Sequence, residues 1–182
     1  RRSSDLRSDV TFDFTNNNEM IVHNNVAEPW KVTLIDTGID TMTGGRIKRI
    51  EKYIGDEPFM LTYGDGVSDV NVRKLMDFHN KNKKTVTITA IQPGGRFGVL
   101  DIGRDNEIKS FTEKSKEDGG WINGGFMVLE PDIFNYIHGD KTYFEREPLE
   151  NLAKKGQLSA YKHKGFWQCM DTQRDKNLLE EL

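Results

Sequence analysis

The run Phe59-Met60-Leu61-Thr62-Tyr63, closing on Gly64-Asp65-Gly66, limits what this chain can fold into more than any other stretch. It is strand length, largely apolar, and bounded by glycines, so it reads as a strand buried on both faces that delivers a carboxylate at its C-terminal end. Val72, Leu75, Met76 and His79 then share one face of a helix that Asp69 is placed to cap, and a β-branched strand follows from Thr85 to Ala90. Strand, helix, strand in that order favours parallel pairing and an α/β sheet.

The flanking segments fit the same class. Val10 to Phe14 and Met20 to His23 alternate around Asn16-Asn17-Asn18 like a hairpin, and Lys31 to Asp36 reads as a strand. Ile47, Ile50 and Ile54 recur at helical spacing after Thr43-Gly44-Gly45, with Gly55 as the stop. Val99 to Ile102 and Ile108 to Glu113 flank Asp105-Asn106 as a second hairpin, and Ile122 to Leu129 is a strongly apolar strand, so mixed strand directions are expected. Pro131 and Pro148 each open a helix, and a last helix begins near Asp175. With 182 residues and no Ser/Gly linker or repeat, one mixed-sheet α/β unit with an antiparallel appendage is expected.

Composition excludes several classes. The 26 basic and 29 acidic side chains leave a net charge of −3, no electrostatic footprint for nucleic acid, and Lys81, Lys83 and Lys84 read as a solvated helix end. No apolar run approaches a membrane span, and Arg1 to Val10 has no signal-peptide core, so the chain is expected to be cytoplasmic. The single cysteine, Cys169, makes no internal disulfide, and with the four scattered histidines it shows no zinc spacing. Neither G-x-G-x-x-G nor Walker A is present, and Gly94-Gly95-Arg96-Phe97-Gly98 is either an anion cradle or a loop between strands.

The candidates for chemistry are acids and cations. Ligands of open α/β sheets sit beyond the carboxyl ends of strands, where Asp65 is placed to hold Mg²⁺ or, more blandly, to bond its own turn. Asp171, after the aromatic-rich Phe166-Trp167, is a second metal candidate or the cap of the last helix. Glu113-Lys114, Asn123-Gly124-Gly125 and Arg46 are each ordinary alone: a surface pair, a turn and a solvated arginine. Together they supply two acids for a metal, two cations for phosphates and polar groups for hydroxyls, a set suited to phosphoryl chemistry on a sugar nucleotide.

Seven segments are more specific: Glu28-Pro29-Trp30, Asp36-Thr37-Gly38, Met42-Thr43-Gly44-Gly45-Arg46, Thr62-Tyr63-Gly64-Asp65-Gly66-Val67, Arg96-Phe97-Gly98, Ile122-Asn123-Gly124-Gly125-Phe126, and Gly165-Phe166-Trp167-Gln168 with Met170-Asp171-Thr172. In this order, from about Ser8 to Leu182, the series resembles the glucose-1-phosphate cytidylyltransferase family of sugar nucleotidyltransferases. The resemblance implies a Rossmann-like mixed-sheet nucleotidyltransferase domain over 1–182. That domain corresponds to the C-terminal two-thirds of the family's enzyme, without its N-terminal Gly-rich loop. The implied reaction joins CTP and α-D-glucose 1-phosphate to CDP-glucose with loss of pyrophosphate, a step toward the dideoxysugars of bacterial surface polysaccharide. Asp65 and Asp171 are then the Mg²⁺ carboxylates, and Lys114 and Arg46 the phosphate contacts. Glu113, Asn123 and Gly124 fall in the sugar site, Thr43 and Gly44 in the nucleotide site, and the enzyme is expected to be a homo-oligomer. Ser115, Cys169 and Gly94 stand where the family carries proline, changes that loosen loops more than they alter charge. The competing readings are a non-catalytic nucleotide-sugar-binding module and a uridylyl- or thymidylyltransferase with a different base pocket.

Overall fold

A computed structural model describes residues 9–24, 31–92, 99–102, 108–112 and 120–182. The chain divides into two compact units, Arg1–Asp36 and Thr37–Leu182.

In the first unit, β1 (Asp9–Asp13) and β2 (Glu19–Asn24) form the expected antiparallel hairpin. Its turn is closed by Asp13, whose Oδ1 accepts from the Thr15 amide and hydroxyl at 2.8 and 2.6 Å, while Asn17 and Asn18 take the left-handed backbone that asparagine tolerates. The strand expected from Lys31 to Asp36 does not form. Residues 31–38 have no regular secondary structure, and Val32 and Leu34 are 71% and 92% exposed. Strand propensity describes fit to a neighbour on a pleated surface, and among the described residues no strand pairs with this segment.

The second unit is built on a four-stranded sheet ordered β3-β8-β5-β9. Its strands are β3 (Phe59–Leu61), β5 (Val86–Ile91), β8 (Ile122–Leu129) and β9 (Leu158–Lys162). β3 and β5 run the same way, but the expected direct pairing is replaced: β8 lies between them, antiparallel to both, and β5 pairs in parallel with β9. The long apolar β8, fully buried at Met127, Val128 and Leu129, takes the central place where both of its edges find partners. β3 is left at an edge with Met60 exposed, so it is not buried on both faces.

Two shorter ladders complete the unit, β4 (Gly66–Ser68) with β10 (Trp167–Cys169), and β6 (Val99–Ile102) with β7 (Ile108–Thr112), the expected second hairpin. On one sheet face Val86, Met127 and Leu129 meet Ile47, Phe144 and Leu152, and the rings of Phe59 and Phe134 stack at 5.7 Å. On the other lies α3 (Val72–Asn82). Its fully buried His79 reaches Thr87 Oγ1 through Nδ1 at 2.8 Å and Glu130 Oε1 through Nε2 at 3.1 Å. Glu130 only accepts when ionised, so in a neutral imidazole Nε2 carries the proton and Nδ1 accepts from Thr87.

Helix boundaries follow local chemistry. Asn71, not Asp69, caps α3, accepting from Lys74 N at 3.0 Å, because it directly precedes the first helical residue; Asp69 instead pairs with His163 Nε2 at 2.9 Å. The Ile47-Ile50-Ile54 helix divides at Ile50 into α1 (Thr43–Arg49) and α2 (Glu51–Ile54), and ends at Gly55. Pro131 opens a 3-10 turn (Pro131–Tyr136), and Pro148 lies at the start of α4 (Glu147–Lys154). The last helix, α5 (Gln173–Glu180), is capped by Thr172 and not by Asp171. Among the described residues no helix is long and apolar enough to cross a membrane.

A strap, residues 139–146, binds α1 to the core. Met42 N donates to Asp140 O at 2.8 Å, and Gly44 N to Thr142 O at 2.9 Å. A Cβ on Gly44 would lie 2.7 Å from that same carbonyl, so the approach requires glycine there. Arg49 holds the Asp140 carboxylate through two bonds of 2.9 and 2.6 Å, and this hydrogen bonding keeps the Asp140 carboxyl below its ordinary value.

Replacing fully buried Phe144 by alanine is expected to cost about 3–5 kcal/mol, read as a lower urea midpoint at unchanged slope. Arg49→Ala should let the Asp140 carboxyl titrate upward toward the ordinary aspartate range, as followed by NMR. Because the folded value is depressed, its stabilisation is present above the unfolded-state value and is lost as pH falls through the folded one. The stability difference between wild type and Arg49→Ala should therefore vanish in acid.

Candidate active site

Asp65 sits in the turn between β3 and β4, and Asp171 just after β10. The β4–β10 ladder pairs Cys169 with Gly66 and is continued by Met170 N donating to Asp65 O at 2.8 Å, so two distant chain segments bring the acids to adjoining backbone positions. Both acids are exposed.

The turn carrying Asp171 is fixed by a buried acid behind it. Asp175 Oδ2 accepts from the Thr172 amide at 3.0 Å and hydroxyl at 2.7 Å, and its Oδ1 accepts from Gln168 Nε2 at 3.0 Å. Thr172 Oγ1 accepts in return from Asp175 N at 3.2 Å, closing a capping box.

Two residues before Asp65, Tyr63 donates its hydroxyl to Glu145 Oε1 at 2.7 Å. Glu145 Oε2 accepts from Thr43 Oγ1, also at 2.7 Å, and Thr43 Oγ1 accepts from Phe144 N at 2.9 Å. Burial holds the Tyr63 phenol well above its ordinary value, and the hydrogen bond to Glu145 and the charges of Glu145 and Asp65 act the same way. A side-chain hydrogen bond with Asn123 acts in the opposite sense and places Asn123 beside Tyr63.

Asn123 lies near the start of β8, opposite Ala90, and its Oδ1 accepts from Gly125 N at 2.9 Å. Gly124 is buried, and its carbonyl accepts from Trp167 Nε1 at 2.8 Å, which joins β8 to β10. Beyond it the strand kinks, with Gly125 at φ +74° and Phe126 at φ +42°, an unfavourable backbone for a bulky side chain. Thr89 Oγ1 donates to the displaced Phe126 carbonyl at 2.7 Å.

Thus Asp65, Asp171, Asn123, Gly124 and Thr43 are joined through ladder and side-chain bonds. Arg46 turns its guanidinium to Thr37 Oγ1 at 2.7 Å and Ile39 O at 3.2 Å, and the Gly44 amide is engaged by the strap. Glu113 and Lys114 lie outside the described residues, as do Gly94 to Gly98 and Glu28 to Trp30. Sequence reasoning misses Tyr63, Glu145 and Asp175. Tyr63 is visible as the end of an apolar run and within the segment Thr62 to Val67, with no role of its own, and Glu145 carries no motif.

The donor set fits a hard cation. Among the described residues no group of three or more His, Cys, Asp or Glu is placed to hold a metal ion. Asp65 and Asp171 are hard oxygen donors, the ligand type of which Mg²⁺ takes one or two from protein while completing its octahedron with water and phosphate oxygens.

The Nucleotidyl transferase family matches residues 15–175. The chain is 53% identical over 176 residues to a glucose-1-phosphate cytidylyltransferase of Salmonella typhimurium, covering 96% of this chain and 68% of that one. It is 49% identical to a probable glucose-1-phosphate cytidylyltransferase of Bacillus subtilis, covering 84% of this chain and 59% of the relative. Among solved structures, HddC from Yersinia pseudotuberculosis superposes with a TM-score of 0.58 at 28% identity, over 78% of this chain and 62% of that one. A putative glucose-1-phosphate thymidylyltransferase from Bacillus anthracis shares the fold with a TM-score of 0.56 at 19% identity, over 80% of this chain and 63% of that one. The chain thus spans about two thirds or less of these proteins, and with that extent of similarity it belongs to the Nucleotidyl transferase family, in the branch of the glucose-1-phosphate cytidylyltransferases.

Proposed function

We propose that this chain forms the sugar- and metal-binding part of an enzyme that joins CTP and α-D-glucose 1-phosphate to CDP-glucose and pyrophosphate. An oxygen of the sugar phosphate forms the new bond to the α-phosphorus of CTP as the bond to the departing pyrophosphate breaks, and no protein nucleophile takes part. Asp65 and Asp171 would hold Mg²⁺, which when bound draws charge from the phosphate oxygens. Arg46 and Lys114 would meet phosphate oxygens with charge-assisted hydrogen bonds. Asn123, with Gly124 beside it and Glu113, would bond the glucose hydroxyls, while Thr43 and Gly44 would line the nucleotide. Fixed positioning supplies the in-line geometry. A cytoplasmic homo-oligomer feeding dideoxysugar synthesis for surface polysaccharide completes the reading.

The observation that supports it most is the bond from Met170 N to Asp65 O, which sets two acids from separate segments at adjoining positions in a chain so similar to cytidylyltransferases. Uridylyl or thymidylyl transfer would use the same acids with a different base pocket, so competition of UTP and dTTP against CTP is the test of base choice.

Pyrophosphate release from CTP and glucose 1-phosphate should fall at least about a hundredfold in both Asp65→Ala and Asp171→Ala of the full-length protein, the scale of losing a group that stabilises transition-state charge. Unchanged rates in both variants would falsify the metal assignment.

A further inference from the structure

We propose that Glu145 is a positioning residue for this reaction. It acts as a two-armed clamp that holds the start of α1 against the loop carrying Asp65. The proposal rests on the function given above and adds a role for a side chain that no motif marks.

The geometry is specific. Each carboxylate oxygen of Glu145 takes one hydroxyl, Tyr63 OH on Oε1 and Thr43 Oγ1 on Oε2, both at 2.7 Å. The two hydroxyls belong to elements with no other direct link of this kind among the described residues. Thr43 is the first residue of α1, and Tyr63 stands two residues before Asp65 and beside Asn123. The remaining strap bonds, from Asp140, Thr142 and Phe144, end on α1 or on the residue before it. Glu145 alone reaches across to Tyr63.

Its position argues against a simple stability role. Glu145 is exposed at a turn, and truncating it removes little buried surface. Hydrogen bonds to a charged acceptor are short and directional, so their effect falls on the placement of the two elements. A shift of about 1 Å in a reacting group costs up to about a hundredfold in rate, which gives such a clamp leverage.

The test uses the full-length protein and the variants Glu145→Ala, Glu145→Gln, Tyr63→Phe and the Glu145→Ala/Tyr63→Phe double variant. Glu145→Ala should lower kcat about 10–100-fold, the range for residues that orient a site, with the KM values for CTP and glucose 1-phosphate changed less than about threefold and the melting temperature little changed. Glutamine keeps an acceptor for Tyr63 and a donor for Thr43, so Glu145→Gln should recover most of the loss. The double variant should be no slower than about threefold below the worse single variant, because both single changes open the same clamp. Mn²⁺ titration by electron paramagnetic resonance gives a readout apart from turnover: Glu145→Ala should bind the ion more weakly, and Glu145→Gln should bind it nearly as well as wild type.

Equal kcat and Mn²⁺ affinity in wild type and Glu145→Ala overturn the proposal, as do equal losses in the alanine and glutamine variants or multiplicative losses in the double variant. A large fall in melting temperature matching the loss of activity would also overturn it, in favour of a structural role. Wild-type protein that neither makes CDP-glucose nor binds Mn²⁺ would overturn the functional reading itself, and the proposal with it.

Discussion

The bond from Met170 N to Asp65 O is the narrow point on which the site geometry turns. It continues a ladder in which only three residues of each strand pair. A net contribution of about 0.5–1.5 kcal/mol per bond would leave so short a ladder free to fray. Side-chain bonds hold it closed: Trp167 Nε1 to Gly124 O at 2.8 Å, Ser68 Oγ to Phe166 O at 2.8 Å, and the grip of Asp175 on Thr172 and Gln168. The acids are exposed, but the backbone that carries them is pinned from the buried side. Exposed carboxylates are inexpensive to bring together, since water screens their repulsion, so fixing the backbone is what separates a site from two surface charges.

Backbone strain also lies beside Asn123. Central β8 is regular where it lies between β3 and β5, and leaves regularity at Gly125 and Phe126, beside Asn123. A bulky residue at positive φ costs roughly 1–2 kcal/mol, and the bond from Thr89 Oγ1 to the Phe126 carbonyl offsets part of that cost. The kink lets one strand serve two ends: Met127 to Leu129 seal the core, while Asn123 and Gly124 turn toward Tyr63 and Trp167. Strain where the chain bends toward the site is consistent with geometry maintained for binding.

Much of this was legible in the residues because local chemistry decided it. The Asn-rich turn, the stop at Gly55 and the apolar run of β8 each follow from one rule and stand as read, while the isoleucine spacing marks a helical stretch that divides at Ile50 into α1 and α2. What was not legible depended on partners distant in the chain. Lys31 to Asp36 has strand composition but no strand partner among the described residues, β3 and β5 have the expected direction but β8 between them, and Asn71, directly before the first helical residue, takes the cap while Asp69 pairs with His163. In the site, the candidate acids were legible from glycine and aromatic context. Glu145 was not, because an acid in a polar turn owes its role entirely to the hydroxyls that the fold sets on either side of it.

On the function proposed above the guanidinium of Arg46 meets phosphate, and its bonds within the protein are compatible with that role. Its donors are held by a neutral hydroxyl and a neutral carbonyl, Thr37 Oγ1 and Ile39 O. A guanidinium gains Coulombic attraction and bidentate geometry from a phosphate that a neutral hydroxyl or carbonyl does not offer. A phosphate oxygen arriving nearby therefore competes on favourable terms, and the side chain has already lost much of the rotamer freedom that binding would otherwise cost. Arg49, one turn further along α1, is in the opposite condition: the Asp140 carboxylate holds it in a two-bond pair that a phosphate gains little by displacing. The two arginines of one short helix thus differ in the charge of their partners: Arg49 secures the helix to its strap through a carboxylate, and Arg46, on the function proposed above, exchanges neutral acceptors for a phosphate.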